Sequence, residues 1–126
     1  MLNDNLNFGR EAEETAARFL KGKGYKILSR NYRTKLGEID IIAKDKDTLC
    51  FVEVKARRTY RFGAPEEAIS EHKKRQISKA ALIFIKDKKL RDRLARFDVV
   101  SVSWARGFPE IELFKNAFEL SESYYP

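Results

Sequence analysis

The spacing of apolar positions along the chain predicts two helices. Over residues 10–23, Ala12, Ala16 and Leu20 recur at intervals that place them on one helical face. Gly24 follows directly, and glycine is the residue that most often ends a helix. The second helix is predicted over residues 65–86, because Pro65 suits the first turn of a helix. Each helix therefore has one apolar side with which to cover a sheet.

Apolar runs rich in Ile and Val predict five strands, at residues 25–33, 38–44, 49–57, 97–104 and 110–114. A short polar turn joins the second and third strands, so these two should form an antiparallel hairpin. The element order α-β-β-β-α-β-β predicts an α/β fold, a mixed β-sheet flanked by helices. We expect a single domain over residues 1–118, followed by a C-terminal tail over residues 119–126.

The hairpin carries the candidate chemistry. With a turn centred at residues 46–47, Asp40 lies directly across from Glu53, and Lys55 shares the face of Glu53. Ile39 and Ile41 are then both expected on the opposite face. Two carboxylates that face each other repel and are costly to bury. A shared proton, a cation of the protein or a bound metal must neutralise them.

The residue inventory narrows the choice of metal. Cys50 is the only cysteine and His72 the only histidine, so the chain cannot build a disulfide framework, a structural zinc site or a serine–histidine triad. A metal held by Asp40 and Glu53 would accordingly be a hard ion, Mg²⁺ or Mn²⁺. Such an ion beside a lysine suits phosphodiester hydrolysis. The alternative is a solvated hairpin face with an ordinary Glu–Lys pair.

Several motifs resemble those of known nucleases. Gly37-Glu38-Ile39-Asp40 with Glu53-Val54-Lys55 is similar to the PD-(D/E)XK pattern of restriction-endonuclease-like nucleases, although Ile39 replaces its proline. Arg30-Asn31-Tyr32-Arg33 and Arg96-Phe97-Asp98-Val99-Val100 extend a resemblance to the YraN-like family from Gly9 to about Phe118. Members of that family are described as predicted endonucleases distantly related to archaeal Holliday junction resolvases.

The resemblance implies the restriction-endonuclease-like fold and a further acidic residue. Resolvase-like relatives use a glutamate of the first helix at the metal, and this helix offers Glu11, Glu13 and Glu14. Glu13 is the best placed of the three, because it lies nearest the edge of the buried stripe. A resolvase would also need a homodimer to cut two strands symmetrically, although no oligomerisation element is legible.

Basic and polar residues beyond the hairpin are further candidates. Lys73 and Gln76 fall on the side of the second helix that should be buried, from which they could reach a phosphate or a metal-bound water. Arg57, Arg58 and Arg61 follow the catalytic strand and are expected to contact a nucleic-acid backbone. The basic stretch 86–96 is open between a nucleic-acid contact and a solvated surface.

The net charge of +7 favours a nucleic acid, DNA rather than RNA, as the partner. We therefore expect a metal-dependent endonuclease that hydrolyses phosphodiester bonds, selective for branched or flapped DNA. The alternatives are a non-catalytic nucleic-acid-binding module on a nuclease-like scaffold, and an enzyme acting on another phosphate ester. Neither a membrane span nor a secretory signal is legible, which predicts a cytoplasmic location.

Overall fold

The computed structural model describes residues 2–58 and 69–119 of the chain and confirms the predicted order of elements. The elements are α1 (Leu2–Gly22), β1 (Lys26–Arg33), β2 (Glu38–Asp45), β3 (Thr48–Arg57), α2 (Glu71–Asp87), β4 (Leu94–Ser103) and β5 (Glu110–Phe118). The strands agree with the sequence prediction within a few residues at each end. Strand β5 ends at Phe118, and the division into a domain and a C-terminal tail stays a prediction.

The five strands form one mixed sheet in the order β1-β2-β3-β4-β5. Strands β3 and β4 are parallel and are connected through α2, whereas the other neighbours are antiparallel. Helix α1 packs on one face of the sheet around Leu20, and helix α2 packs on the other face around Phe84. The α/β fold class is therefore as predicted.

Helix α1 begins eight residues earlier than the prediction. Its added turns have a tertiary contact, because the ring of Phe8 packs on Trp104 with 5.1 Å between ring centroids. Gly24 ends the helix as expected with a φ of 93°, and the Tyr25 N–H donates to the carbonyl of Leu20 at 3.0 Å. Although α1 is 21 residues long, no helix within the described residues is long and apolar enough to cross a membrane.

Helix α2 begins later than predicted. Ser70 is its N-cap, and the Ser70 hydroxyl accepts a hydrogen bond from the Lys73 N–H at 3.0 Å. The sequence predicts the first turn at Pro65 because proline is frequent there, but the helix begins six residues later, at Glu71, where the serine accepts one of the free N–H groups. Pro65 itself lies outside the described residues.

Candidate active site where the β2–β3 hairpin opens

The register of the hairpin is the predicted one. Asp45 pairs with Thr48 across a two-residue turn in which Lys46 has a φ of 55°. Pairing continues regularly to Ile41 and Val52, which is its last pair. The two strands thus stop pairing one position before Asp40 and Glu53 would face each other, and the hairpin opens at the acidic residues.

Asp40 occupies the point at which the hairpin opens. Its Oδ2 accepts a hydrogen bond from the backbone N–H of Val54 at 2.8 Å, so a side chain replaces the carbonyl that a continued ladder would have supplied. Ile39 packs in the α2-side core, whereas Ile41 packs in the α1-side core. The prediction that these two residues share a face is therefore wrong, because the alternation of side chains along β2 is broken between them, at Asp40.

Strand β1 changes conformation at the same level. Asn31 has a φ of 52° and lies between the pairs Arg30–Ile41 and Tyr32–Ile39, which places it beside Asp40. Asparagine adopts a positive φ more readily than most residues. Sequence reasoning did not identify Asn31 as a site residue, although its ability to adopt this conformation was an available signal.

Asp40 and Glu53 form the predicted acidic pair. Glu53 is 6% exposed, and burial together with the charge of Asp40 raises the pKa of Glu53 to about 8. Burial also raises the pKa of Asp40, although the N–H of Val54 opposes that shift. Within the described chain, Oε2 of Glu53 is buried without a hydrogen-bond partner. In the metal-free protein Glu53 therefore keeps its proton at neutral pH, and the pair lacks full compensation once Glu53 ionises.

Two lysines provide partial compensation. The Nζ atom of Lys73 lies 3.8 Å from Oε1 of Glu53, within ion-pair range but too far for a hydrogen bond. Its charge lowers the pKa of both carboxyls of the pair, and the charge of Lys55 lowers that of Glu53. Lys55 is half-buried on the same side of β3 as Glu53. Both lysines therefore lie near the acidic pair, and their predicted chemical roles stay predictions.

Glu13 approaches the pair from α1. Burial and the neighbouring charge of Asp40 raise the pKa of Glu13. Glu14 is instead bound to Arg30 at 2.8 Å, which agrees with the preference for Glu13. An open cavity of about 340 Å³ adjoins Glu13 and is lined by Arg10, Glu13, Glu14, Arg30 and Asn31. A third acidic side chain therefore borders the pair from the other side of the sheet.

The other candidate residues lie around the same end of the sheet. Gln76 is half-buried on α2, and its backbone carbonyl lies so close to Gly37 that a Cβ at residue 37 would overlap it. Arg57 is half-buried at the end of β3. The exposed guanidinium of Arg58 lies over the Phe8 ring, 4.4 Å from its centroid. Arg61 lies outside the described residues.

The donor set fits a hard divalent cation. Asp40 and Glu53 supply carboxylate oxygens, and the buried Oε2 of Glu53 would gain a partner by binding one. Two protein carboxylates completed by water are a usual arrangement for Mg²⁺. Within residues 2–58 and 69–119, no group of three acidic, histidine or cysteine side chains has a metal-binding arrangement. Glu13 as a third ligand accordingly stays a prediction.

The fold and the site define a small α/β protein with a buried acidic pair between two lysines. The chain belongs to the uncharacterised protein family UPF0102, whose model matches residues 12–102, and the resemblance to the YraN-like family is thereby confirmed as family membership.

Three relatives illustrate how uniform this similarity is. A protein of Desulfosudis oleivorans is 53% identical over 119 residues, which cover 94% of this chain and 95% of the relative. A protein of Geotalea daltonii is 51% identical over 120 residues, which cover 94% of each chain. A protein of Syntrophus aciditrophicus is 48% identical over 120 residues, covering 95% of this chain and 94% of the relative. Each is described as a UPF0102 protein.

Proposed function

We propose that this protein is a metal-dependent endonuclease that hydrolyses phosphodiester bonds in DNA, with a preference for branched or flapped structures. One observation carries the proposal: Glu53 is buried beside Asp40, and its Oε2 has no hydrogen-bond partner within the described chain. Once Glu53 ionises, its buried carboxylate costs stability unless a ligand compensates it. A divalent cation is the ligand whose charge and oxygen preference match the pair.

Asp40 and Glu53 would hold Mg²⁺ or Mn²⁺, with Glu13 as a further contact. When bound, such an ion polarises a phosphoryl group and lowers the pKa of a bound water toward neutrality. The hydrogen bond from Val54 holds the Asp40 carboxylate in place before any ligand arrives. The acidic pair is thereby preorganised by the backbone of β3.

Six basic or polar residues beyond the acidic pair have roles that follow from their chemistry. Lys55 orients or deprotonates the attacking water, or offsets the charge that develops on the phosphate. Lys73 offsets the same charge from α2, where it already lies 3.8 Å from Glu53. Gln76 positions the water or a phosphate oxygen by hydrogen bonding. Arg57 and Arg58 hold the DNA backbone beyond the end of β3, and Arg61 is proposed to do the same.

The preference for branched DNA rests on the kind of contact available. Phosphate contacts position a nucleic acid but carry little sequence information. Selectivity for a DNA structure therefore suits a site of carboxylates and cations better than selectivity for a base sequence. If the enzyme cuts both strands of a junction, two copies of the chain would act together as a homodimer.

The test compares the wild type with Asp40→Asn on labelled linear, flap and four-way-junction DNA in Mn²⁺. Asparagine keeps an oxygen for the Val54 N–H but removes the charge, so the fold should survive while cleavage is lost. Glu112→Gln, at an exposed position of β5, is the matched control and should cut like the wild type. Equal cleavage by the wild type and Asp40→Asn would overturn the proposal. Binding without cleavage by every variant would favour the non-catalytic scaffold.

A further inference from the structure

The end of the sheet opposite the acidic pair gathers the positive charge of the protein. Helix α1 ends there, Lys26 of β1 pairs with Lys44, Thr48 pairs with Leu94, and Phe118 pairs with Phe97. We call this region the distal end and define it as residues 21–26, 44–48, 86–98 and 115–118. Along β3, Glu53 is five residues from Thr48, or about 17 Å, so the distal end is separate from the acidic pair.

The charge balance of the distal end is one-sided. It contains twelve basic and five acidic residues, and this difference of seven equals the net charge of the whole chain. The remainder of the sequence is thus neutral in sum. The net positive charge that the composition indicates is therefore concentrated at the distal end.

Part of this charge is neutralised within the fold. Arg96 binds buried Asp98 at 3.0 Å and Asp45 at 2.9 Å, and Lys115 lies 3.6 Å from Asp45. These four residues cancel one another in a network that ties β4 and β5 to the hairpin turn. The excess positive charge lies outside that network.

The excess is exposed and uncompensated. Among the described residues, no ion pair or side-chain hydrogen bond involves the exposed basic side chains of the α2–β4 segment, which are Lys86, Lys88, Lys89, Arg91 and Arg93. The negative ends of the helix dipoles account for Lys21 and Lys86, which lie in the last turns of α1 and α2. That effect falls off within the last turn and does not extend to Arg91 and Arg93.

We propose that the distal end is a second polyanion-binding surface, which binds the phosphate backbone of nucleic acid independently of the acidic pair. Like charges crowded on one surface repel one another, and phosphates relieve that repulsion. Helices α1 and α2 cover the two faces of the sheet, so the distal end binds a segment of backbone separate from the one at Glu53.

The apolar content of this surface favours nucleic acid over an anionic membrane. Leu94, at 72% exposed, is the single exposed large apolar side chain described in these segments. The apolar side of α2 is buried against the sheet and is not free to insert into lipid. Membrane binding by charge usually needs a second, apolar anchor.

The test measures binding of a short fluorescent DNA duplex by anisotropy in EDTA, where no metal-dependent cleavage occurs. The triple variant Lys88→Gln, Arg91→Gln, Arg93→Gln should bind at least roughly tenfold more weakly and make the salt dependence shallower by roughly 2 to 3 log units per log unit of salt. The matched control is Arg18→Gln, Lys35→Gln, Arg75→Gln, which removes equal charge from exposed residues elsewhere. The control should weaken binding less than about threefold. Thermal unfolding of both variants verifies that the fold is retained.

Each remaining outcome decides against the distal surface. Equally weakened DNA binding in both triple variants would mean that net charge alone explains the effect. Unchanged DNA binding in the first triple variant would show that the distal end does not bind DNA. If the first triple variant loses binding to phosphatidylserine vesicles but still binds DNA, the surface binds membranes instead.

The first triple variant should keep its metal-dependent cleavage at saturating DNA. A protein that never cuts DNA can still pass this binding test, so the two proposals fail separately.

Discussion

The carboxylate of Asp40 accepts a hydrogen bond from the backbone N–H of Val54 at 2.8 Å, at the position where pairing between β2 and β3 ends. One side chain therefore both completes the backbone hydrogen bonding of the neighbouring strand and contributes half of the acidic pair. These two roles can be separated by mutation, because an amide preserves the first role and removes the second.

Asp40→Asn should leave the metal-free protein as stable as the wild type or more stable. It keeps the acceptor for Val54 and removes the repulsion with Glu53. Asp40→Ala leaves the N–H of Val54 without its partner and should cost about 1–3 kcal/mol. Urea unfolding of both variants in EDTA measures the difference. A large loss of stability in Asp40→Asn would mean that the charge of Asp40 is satisfied structurally.

Glu53 should make the metal-free protein less stable as the pH rises. Its pKa is about 8 in the folded protein against an ordinary value of 4.5, so the folded state holds a proton that the unfolded state releases. Stability is therefore full below pH 4.5 and falls by about 3–5 kcal/mol as the pH approaches 8. Unfolding of the wild type and of Glu53→Gln across this range tests the prediction.

In that experiment Glu53→Gln should lack this part of the pH dependence, whereas Glu112→Gln, at an exposed position of β5, should behave like the wild type. Mn²⁺ should restore stability at high pH to the wild type but not to Glu53→Gln, because the metal compensates the ionised carboxylate. Parallel pH profiles for the wild type and Glu53→Gln would contradict the assigned role of Glu53.

Lys73→Gln should lower stability more at pH 8 than at pH 5. Its ammonium group lies 3.8 Å from Glu53, and the loss matters once Glu53 ionises. Lys73 is 30% exposed, so solvent screening limits the effect to about 1 kcal/mol. Lys74→Gln is the matched control, because Lys74 pairs with exposed Glu71 one position along. If both variants lose equal stability at both pH values, Lys73 is an ordinary surface cation.

Gly37→Ala should destabilise the protein by about 1–3 kcal/mol, because the new Cβ would overlap the carbonyl oxygen of Gln76 and force β2 away from α2. Gly9→Ala, in open space on α1, should stabilise by about 0.5–1 kcal/mol. Thermal unfolding of the two variants gives shifts of opposite sign. A neutral Gly37→Ala would show that the turn before β2 can move without cost.

Asp98→Asn should be the most destabilising of these substitutions. Asp98 is fully buried, both of its oxygens accept from Nε of Arg96, and one of them also accepts the Asn116 N–H at 2.9 Å. Removing one partner of a buried ion pair costs about 3–5 kcal/mol. Asp92→Asn, exposed in the preceding loop, should leave urea unfolding unchanged. Similar midpoints for the two variants would contradict a structural role for Asp98.

The sequence by itself determined the order of elements, the register of the β2–β3 hairpin and the end of α1 just before Gly24. These features depend on periodicity and turn chemistry among neighbours in the chain, so they can be predicted from short stretches of sequence. The proximity of Asp40 to Glu53 could be predicted for the same reason, since both residues lie on one hairpin.

Only the tertiary structure decided how the pair is held. Ile39 and Ile41 lie on opposite faces of the sheet because the hairpin opens at Asp40, beside the positive φ of Asn31. Regular alternation of side chains along a strand would have placed both on one face. Lys73 reaches Glu53 only because α2 packs across the sheet. Helix α1 extends to Leu2, and its added turns pack Phe8 on Trp104. Such contacts join segments far apart in the chain, and packing of the whole domain selects them after local preferences have acted.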